Sequence, residues 1–182
     1  MKKVICEKFQ RITKNRKKLE RILGVEIKNQ GKEIIIEGNP EDEFVAEKVF
    51  DALEFGFPFS AAILIKEQDY MLEIIYIKDY TKRKNLEVVR ARIIGRGGKT
   101  LKALSTLTKC YLELKDNSVG IIGEPEYIRT AQEAIFSLIR GSKQANVYAY
   151  LEKHQPEPIF DLGLKKVKKK RPRQDSNLRP HG

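Results

Sequence analysis

The chain has 182 residues, 41% hydrophobic and 34% charged, enough apolar content to bury one medium core or two small ones. Lys and Arg outnumber Asp and Glu by 36 to 25, giving a net charge of +11, so nucleic acid or another acidic partner is the default expectation. Cys6 and Cys110 form no CxxC pair, His154 and His181 stand outside any ligand-like cluster, and no apolar run reaches the roughly 18 residues of a membrane span, which argues against metal, disulfide and membrane roles.

In chain order, Val4 and Cys6 read as a strand, and a Lys- and Arg-rich stretch over residues 9–23 reads as helical. Val25-Glu26-Ile27 and Ile34-Ile35-Ile36 pair across Asn29-Gln30-Gly31-Lys32. Asn39 and Pro40 open a helix that buries Val45, Val49, Phe50 and Leu53. Phe57-Pro58-Phe59 is too apolar for a flexible linker and is expected to pack, with residues 62–65, against the first sheet. Over residues 70–78, Leu72, Ile74 and Tyr76 alternate with Glu73, Ile75 and Ile77, the pattern of a half-buried strand.

Asn85 caps a short helix that buries Leu86, Val89 and Ile93, and Gly95 stops it. A second helix from about Lys99 buries Leu101, Leu104 and Thr108. Tyr111-Leu112-Glu113-Leu114 and Val119-Gly120-Ile121-Ile122 form a hairpin across Asp116-Asn117. Pro125 opens a helix with Ile128, Ala131, Ile135 and Leu138 on one stripe, closed by Gly141. A last helix holds Val147 and Leu151 and ends before Pro156. Beyond it, Lys165-Lys166-Val167-Lys168-Lys169-Lys170-Arg171-Pro172-Arg173 carries seven positive charges, a solvated tail with no core pattern. The N-terminus Met1-Lys2-Lys3-Val4 lacks a signal-peptide core, so a cytoplasmic location is expected.

The chain also resembles itself. A shift of 85 residues brings Gly38 onto Gly123, Pro40 onto Pro125, Glu41 onto Glu126 and Gly56 onto Gly141. The same shift matches Leu19 with Leu104, Ile27 with Leu112, Ile36 with Ile121, Ala46 with Ala131 and Leu53 with Leu138. Identities at special backbone residues, flanked by matched apolar positions, argue for two copies of one unit.

Three readings compete for Arg92-Ile93-Ile94-Gly95-Arg96-Gly97-Gly98-Lys99-Thr100. The ending Gly98-Lys99-Thr100 suggests a phosphate-binding P-loop, but Ile93 stands where that motif needs a glycine, and a helix rather than a strand leads in. A plain helix–turn–helix corner does not need three glycines around an arginine. The third reading is an RNA-gripping GxxG loop. Glycines there let helix ends and a sugar-phosphate backbone approach, while the helix N-terminus, Arg96 and Lys99 attract phosphate.

Ile-Ile-Gly-Arg-Gly-Gly between two short helices of a β-α-α-β-β-α unit resembles the type I KH pattern. The resemblance implies an α+β fold: two type I KH domains in tandem, with three-stranded sheets and helices packed on one face. The first domain is expected over 1–66 and lacks GxxG, since Ile12-Thr13-Lys14-Asn15-Arg16 stands in its place. The second is expected over 67–155 and a basic, unpacked tail over 156–182. KH loops clamp about four nucleotides of single strand. The resemblance makes Arg92, Ile94, Gly95, Arg96, Gly97, Gly98, Lys99, Thr100, Lys102 and Tyr111 the candidate RNA-binding residues.

More narrowly, residues 90–100, Ser137-Leu138-Ile139-Arg140-Gly141 and Val147-Tyr148-Ala149 resemble the pre-ribosomal KH family called "partner of Nob" or Dim-two. Eukaryotic members carry a long N-terminal extension that does not precede Met1, so the resemblance favours an archaeal form. It implies binding near the 3′ end of small-subunit ribosomal RNA during its maturation. It also implies partnership with the Nob endonuclease and the alpha subunit of archaeal initiation factor two. The Krr-one type of tandem-KH protein is the alternative assignment. No clustered acid pair, His–nucleophile set or metal-ligand spacing argues for an enzyme, and no cofactor is implied.

Overall fold

The computed structural model describes residues 2–5, 10–30 and 33–154; Cys6 and the basic tail lie outside them. The first unit runs β1 (Lys2–Ile5), α1 (Gln10–Lys14), α2 (Arg16–Leu23), β2 (Glu26–Gln30), β3 (Glu33–Glu37) and α3 (Pro40–Phe55). Two short helices, α4 (Phe59–Ala62) and α5 (Leu64–Glu67), lead to the second. That unit runs β4 (Met71–Tyr76), α6 (Leu86–Ile94), α7 (Lys99–Thr108), β5 (Tyr111–Lys115), β6 (Ser118–Gly123) and α8 (Pro125–Arg140), with α9 (Gln144–Lys153) after it. Both sheets are antiparallel and three-stranded, ordered β1-β3-β2 and β4-β6-β5.

The repeat is built into the elements. Strands β5 and β6 and helix α8 begin 85 positions after β2, β3 and α3 respectively. Each long helix opens on proline with an acidic first turn, where negative charge favours the helix dipole. The matched glycines have one physical reason. A Cβ on Gly38 would lie 2.9 Å from Val25 Cγ1, and one on Gly123 would lie 2.6 Å from Cys110 Sγ. Val25 and Cys110 are themselves 85 positions apart, so each glycine admits the residue at the start of the neighbouring strand. Leu19 and Leu104 fill equivalent places and are fully buried.

The second sheet is covered on both faces, which the half-buried pattern of its first strand did not show. Val119 and Ile121 point into the core built from α6, α7, α8 and α9. Ile122 belongs instead to the first unit's core, where Tyr70, Leu72 and Ile74 also pack. Phe55 and Phe57, ring centroids 5.7 Å apart, lie over Gly120, so Phe57, a member of the first unit's core, also packs on the second sheet. Helices α4 and α5 rest on α3. Burying each such side chain stabilises by about 1.5–3 kcal/mol. The interface hydrogen bond from Lys115 Nζ to Glu54 O (3.3 Å) adds about 1 kcal/mol. Apolar packing therefore dominates the junction.

The helical stretch expected over 9–23 is two helices, α1 and α2, joined at Asn15, in keeping with the β-α-α-β-β-α order. Two boundaries differ from the sequence reading. Asn29 and Gln30, read as turn, extend β2 and pair with Ile34 and Glu33. The chain leaves β4 after Tyr76 for a 3-10 turn over Ile77–Tyr80. Its partner strand ends at the Tyr76–Ser118 pair, and the Ile77 N–H donates to Asn117 O in the hairpin turn at 2.9 Å.

Candidate nucleic-acid interface

Helix α6 starts at Asn85, whose Oδ1 accepts the Glu87 N–H at 3.1 Å, and ends where the Gly95 N–H donates to Ala91 O at 2.8 Å. Gly95 has φ 74° and ψ 176°, a conformation essentially closed to other residues. A Cβ there would sit 2.0 Å from Thr100 Oγ1 and 2.8 Å from Thr100 N. Gly97 and Gly98 are also left-handed, but a Cβ on either would meet nothing within 4 Å. The three glycines therefore divide their tasks. Gly95 closes the corner between two helices, and Gly97 and Gly98 leave an open approach on its outer side. Arg96 and Lys99 flank that approach and are exposed. Helix α7 begins at Lys99 without a side-chain cap, so the positive end of its dipole faces an incoming anion, while the Lys99 N–H itself donates to Arg96 O.

Gln144, which the sequence reading does not single out, braces the loop from behind. Its Nε2 donates to Arg92 O at 3.1 Å and to Thr100 Oγ1 at 2.8 Å, tying α9 to the last turn of α6 and the first of α7. No local pattern marks such a residue, because its partners are fixed only by tertiary packing. Of the candidate residues, Ile94, Gly95, Arg96, Gly97, Gly98 and Lys99 form the corner itself, and Lys102 is exposed one turn along α7. Thr100 is internal, only 3% exposed, and supports the loop rather than lining its outer side.

Arg92 turns away toward Gly141 at the end of α8. Tyr111 lies beyond the far end of α7, a ten-residue helix about 15 Å long at 1.5 Å per residue. It pairs with Ile122, so its side chain is on the sheet face away from α6 and α7, and the structure does not bring it to the loop. Arg90 is a further residue that the sequence does not signal. Its Nε is buried without a partner, on the side of α6 opposite Arg92, near the Asn117 turn. Among the described residues, none of Arg83, Arg90, Arg92, Arg96, Lys99 and Lys102 forms an ion pair.

Residues 71–156 match the family described as "Eukaryotic type KH-domain (KH-domain type I)". A KH domain-containing protein of Methanocaldococcus jannaschii is 32% identical over 125 residues, 66% of this chain and 55% of the relative. The pre-rRNA-processing protein PNO1 of Debaryomyces hansenii is 34% identical over 119 residues, 62% of this chain and 47% of the relative. The crystal structure of Dim2p from Pyrococcus horikoshii superposes with a TM-score of 0.74 at 29% identity, covering 84% of this chain and 98% of that one. The second unit is a type I KH domain of the PNO1 kind, and the chain is similar to PNO1 and Dim2p proteins. It spans about half the length of the curated relatives it matches. Dim2p of Pyrococcus horikoshii has also been solved in a complex with a/eIF2alpha and rRNA, which superposes with a TM-score of 0.73 at 29% identity, covering 84% of this chain and 92% of that one.

The glycine loop of the second unit has no counterpart in the first. Asn15 alone joins α1 to α2, with φ −109° and ψ 12°. Its N–H donates to Ile12 O at 3.1 Å and its Nδ2 to Arg11 O at 3.0 Å, so the corner is sealed by its own backbone. Several cations there are engaged. Arg16 Nε donates to Glu20 Oε1 at 2.9 Å, and Lys18 Nζ stands 4.7 Å from the centre of the Phe59 ring. The Glu20 carboxyl is held below its ordinary range first by the Ile27 N–H it accepts at 3.0 Å. Lys14 and Lys17 stay exposed.

Cys110, at the end of the loop's second helix, is buried, and burial pushes its thiol up to about 11. It is therefore protonated at neutral pH and shielded. We expect iodoacetamide to leave Cys110 unmodified in the native protein and to alkylate it in denaturant, mapped by mass spectrometry. Native alkylation at the rate of a free thiol would contradict this packing.

Proposed function

We propose that this protein binds single-stranded RNA and acts in maturation of small-subunit ribosomal RNA, gripping the strand at Gly95-Arg96-Gly97-Gly98. The observation that carries the proposal is the open, left-handed backbone at Gly97 and Gly98, set between the unpaired cations Arg96 and Lys99 at the start of α7. Phosphate can reach the main chain there without meeting a Cβ, and bases have the partly buried Ile94 and Leu101 beside them. Lys102 extends the positive side of the groove.

The functional part of the reading draws on the relatives. PNO1 proteins are named for pre-rRNA processing, and Dim2p has been solved with rRNA and a/eIF2alpha. We place the site near the 3′ end of small-subunit rRNA in the cytoplasm, with initiation factor alpha and, on the family resemblance, the Nob endonuclease as partners. The chain comprises a degenerate KH domain over 1–66 and an active one over 67–155. It positions the RNA and performs no chemistry of its own.

Arg96→Asp with Gly97→Asp puts two negative charges where phosphate sits, so affinity for a short single strand should fall at least roughly tenfold, about 1.4 kcal/mol. Circular dichroism should show the fold intact. Lys14→Asp with Asn15→Asp should weaken binding less, because contact at the sealed corner is electrostatic and sequence-blind. Undiminished affinity in the folded first variant would refute the loop as the site. Equal losses in the two variants would mean that the first unit grips RNA as well.

A further inference from the structure

The two units treat one arginine differently. In the first, Arg11 on α1 reaches back to the glycine that closes α3, and its Nη1 donates to Gly56 O at 3.0 Å. In the second, Arg92 reaches the matching glycine, Gly141, but its buried Nη1 has no hydrogen-bond partner. A second guanidinium is there too. A Cβ built on Gly141 would lie 3.3 Å from Arg92 Nη1 and 3.3 Å from Arg83 Nη2, so any side chain at this position would press between them. At Gly56 a Cβ would meet nothing within 4 Å.

Attraction to the C-terminal dipole of α8 explains why cations gather here, but it does not satisfy them. The nearby Ser137 and Leu138 carbonyls already accept the N–H groups of Gly141 and Ser142, at 2.9–3.2 Å. No carboxylate among the described residues pairs with Arg83, Arg92 or Lys143. Val88, Arg92, Ser142, Lys143 and Gln144 border an open hollow of about 460 Å³. Like charges converging beside a hollow, with the Ser142 hydroxyl on its rim, are complementary to a phosphate, while the Gln144 N–H groups stay committed to Arg92 O and Thr100 Oγ1.

We infer that this hollow, between α6 and the turn from α8 to α9, is a second phosphate site for the RNA strand. Gln144 both borders it and braces the glycine loop, so the two sites share a wall and one strand reaches both. The inference rests on the loop reading and extends it. The protein would hold a longer segment than the four nucleotides of a KH groove, with Arg92 binding a phosphate outside that groove.

The test compares two oligoribonucleotides, a tetranucleotide and a strand of about ten residues, the first matched to the groove. Arg83→Glu with Lys143→Glu changes two exposed side chains. The longer strand should lose at least roughly fivefold in affinity, and its log affinity–log salt slope should become shallower by about 0.7 for each phosphate that is no longer neutralised. Tetranucleotide affinity, read by chemical-shift titration, should not change. Arg92→Gln should reproduce the effect on the longer strand.

Equal losses on both lengths, or no loss on either, would overturn the second site. So would unchanged RNA affinity accompanied by lost binding of polyglutamate, which would assign the hollow to an acidic protein segment. Failure of the loop reading has a separate signature: the Arg96→Asp, Gly97→Asp protein would bind the tetranucleotide as well as the parent does.

Discussion

Gly95→Ala is expected to cost about 3 kcal/mol or more in stability, the sum of backbone strain at its conformation and overlap with a packed neighbour. With φ at 74° and ψ at 176°, an alanine would be strained whatever the space around it. The space is also missing, since the new Cβ would fall 2.0 Å from Thr100 Oγ1. Thr100 cannot simply rotate away, because it is buried and holds the hydrogen bond from Gln144. Gly97→Ala is the control. It has φ 60° and ψ 30° with nothing within 4 Å of a Cβ, so strain of about 1–2 kcal/mol is all it should cost. Its effect should appear in RNA affinity instead, where a methyl group obstructs the strand's approach. Denaturant titration of both variants decides the matter. Similar stability losses would mean that the corner tolerates a side chain at Gly95 and that the division of labour among the glycines is wrong.

That division marks where sequence reading succeeds and where it stops. Glycine spacing and the flanking helices locate the loop, because backbone freedom is tied to residue type. The 85-residue repeat locates the strands and long helices, because Gly38 and Gly123 must each clear the residue 13 positions before it. Neither signal says which way a side chain points once helices pack. Proximity in sequence groups Arg92 with the loop, yet its place on α6 turns it toward Gly141. Tyr111 reads as an aromatic on an edge strand, and strand parity puts it on the other face of the sheet. Thr100 reads as a candidate RNA-binding residue and is instead the internal partner of Gln144. These placements depend on packing between segments far apart in the chain.

The same limit hides the junction between the units, which carries the other large effect. Gly120 sits mid-strand in β6, where glycine is normally a weakness. A Cβ there would fall 2.7 Å from Phe55 Cε1 and 2.7 Å from Phe57 Cε2, so the glycine lets two rings lie flat on the sheet. Both rings are buried, at 8% and 1% exposure. Gly120→Ala should therefore destabilise by about 1–3 kcal/mol through overpacking. Phe57→Ala should cost about 3–5 kcal/mol through reduced burial and a cavity. Combined, they should cost less than the sum, because the cavity left by the ring accepts the new methyl group. The glycine loop is on the opposite side of the second unit's sheet, so affinity for a short RNA should hold in whatever fraction stays folded. A double-mutant cycle by denaturant unfolding measures the coupling directly. Strict additivity would mean that Phe57 and Gly120 do not meet.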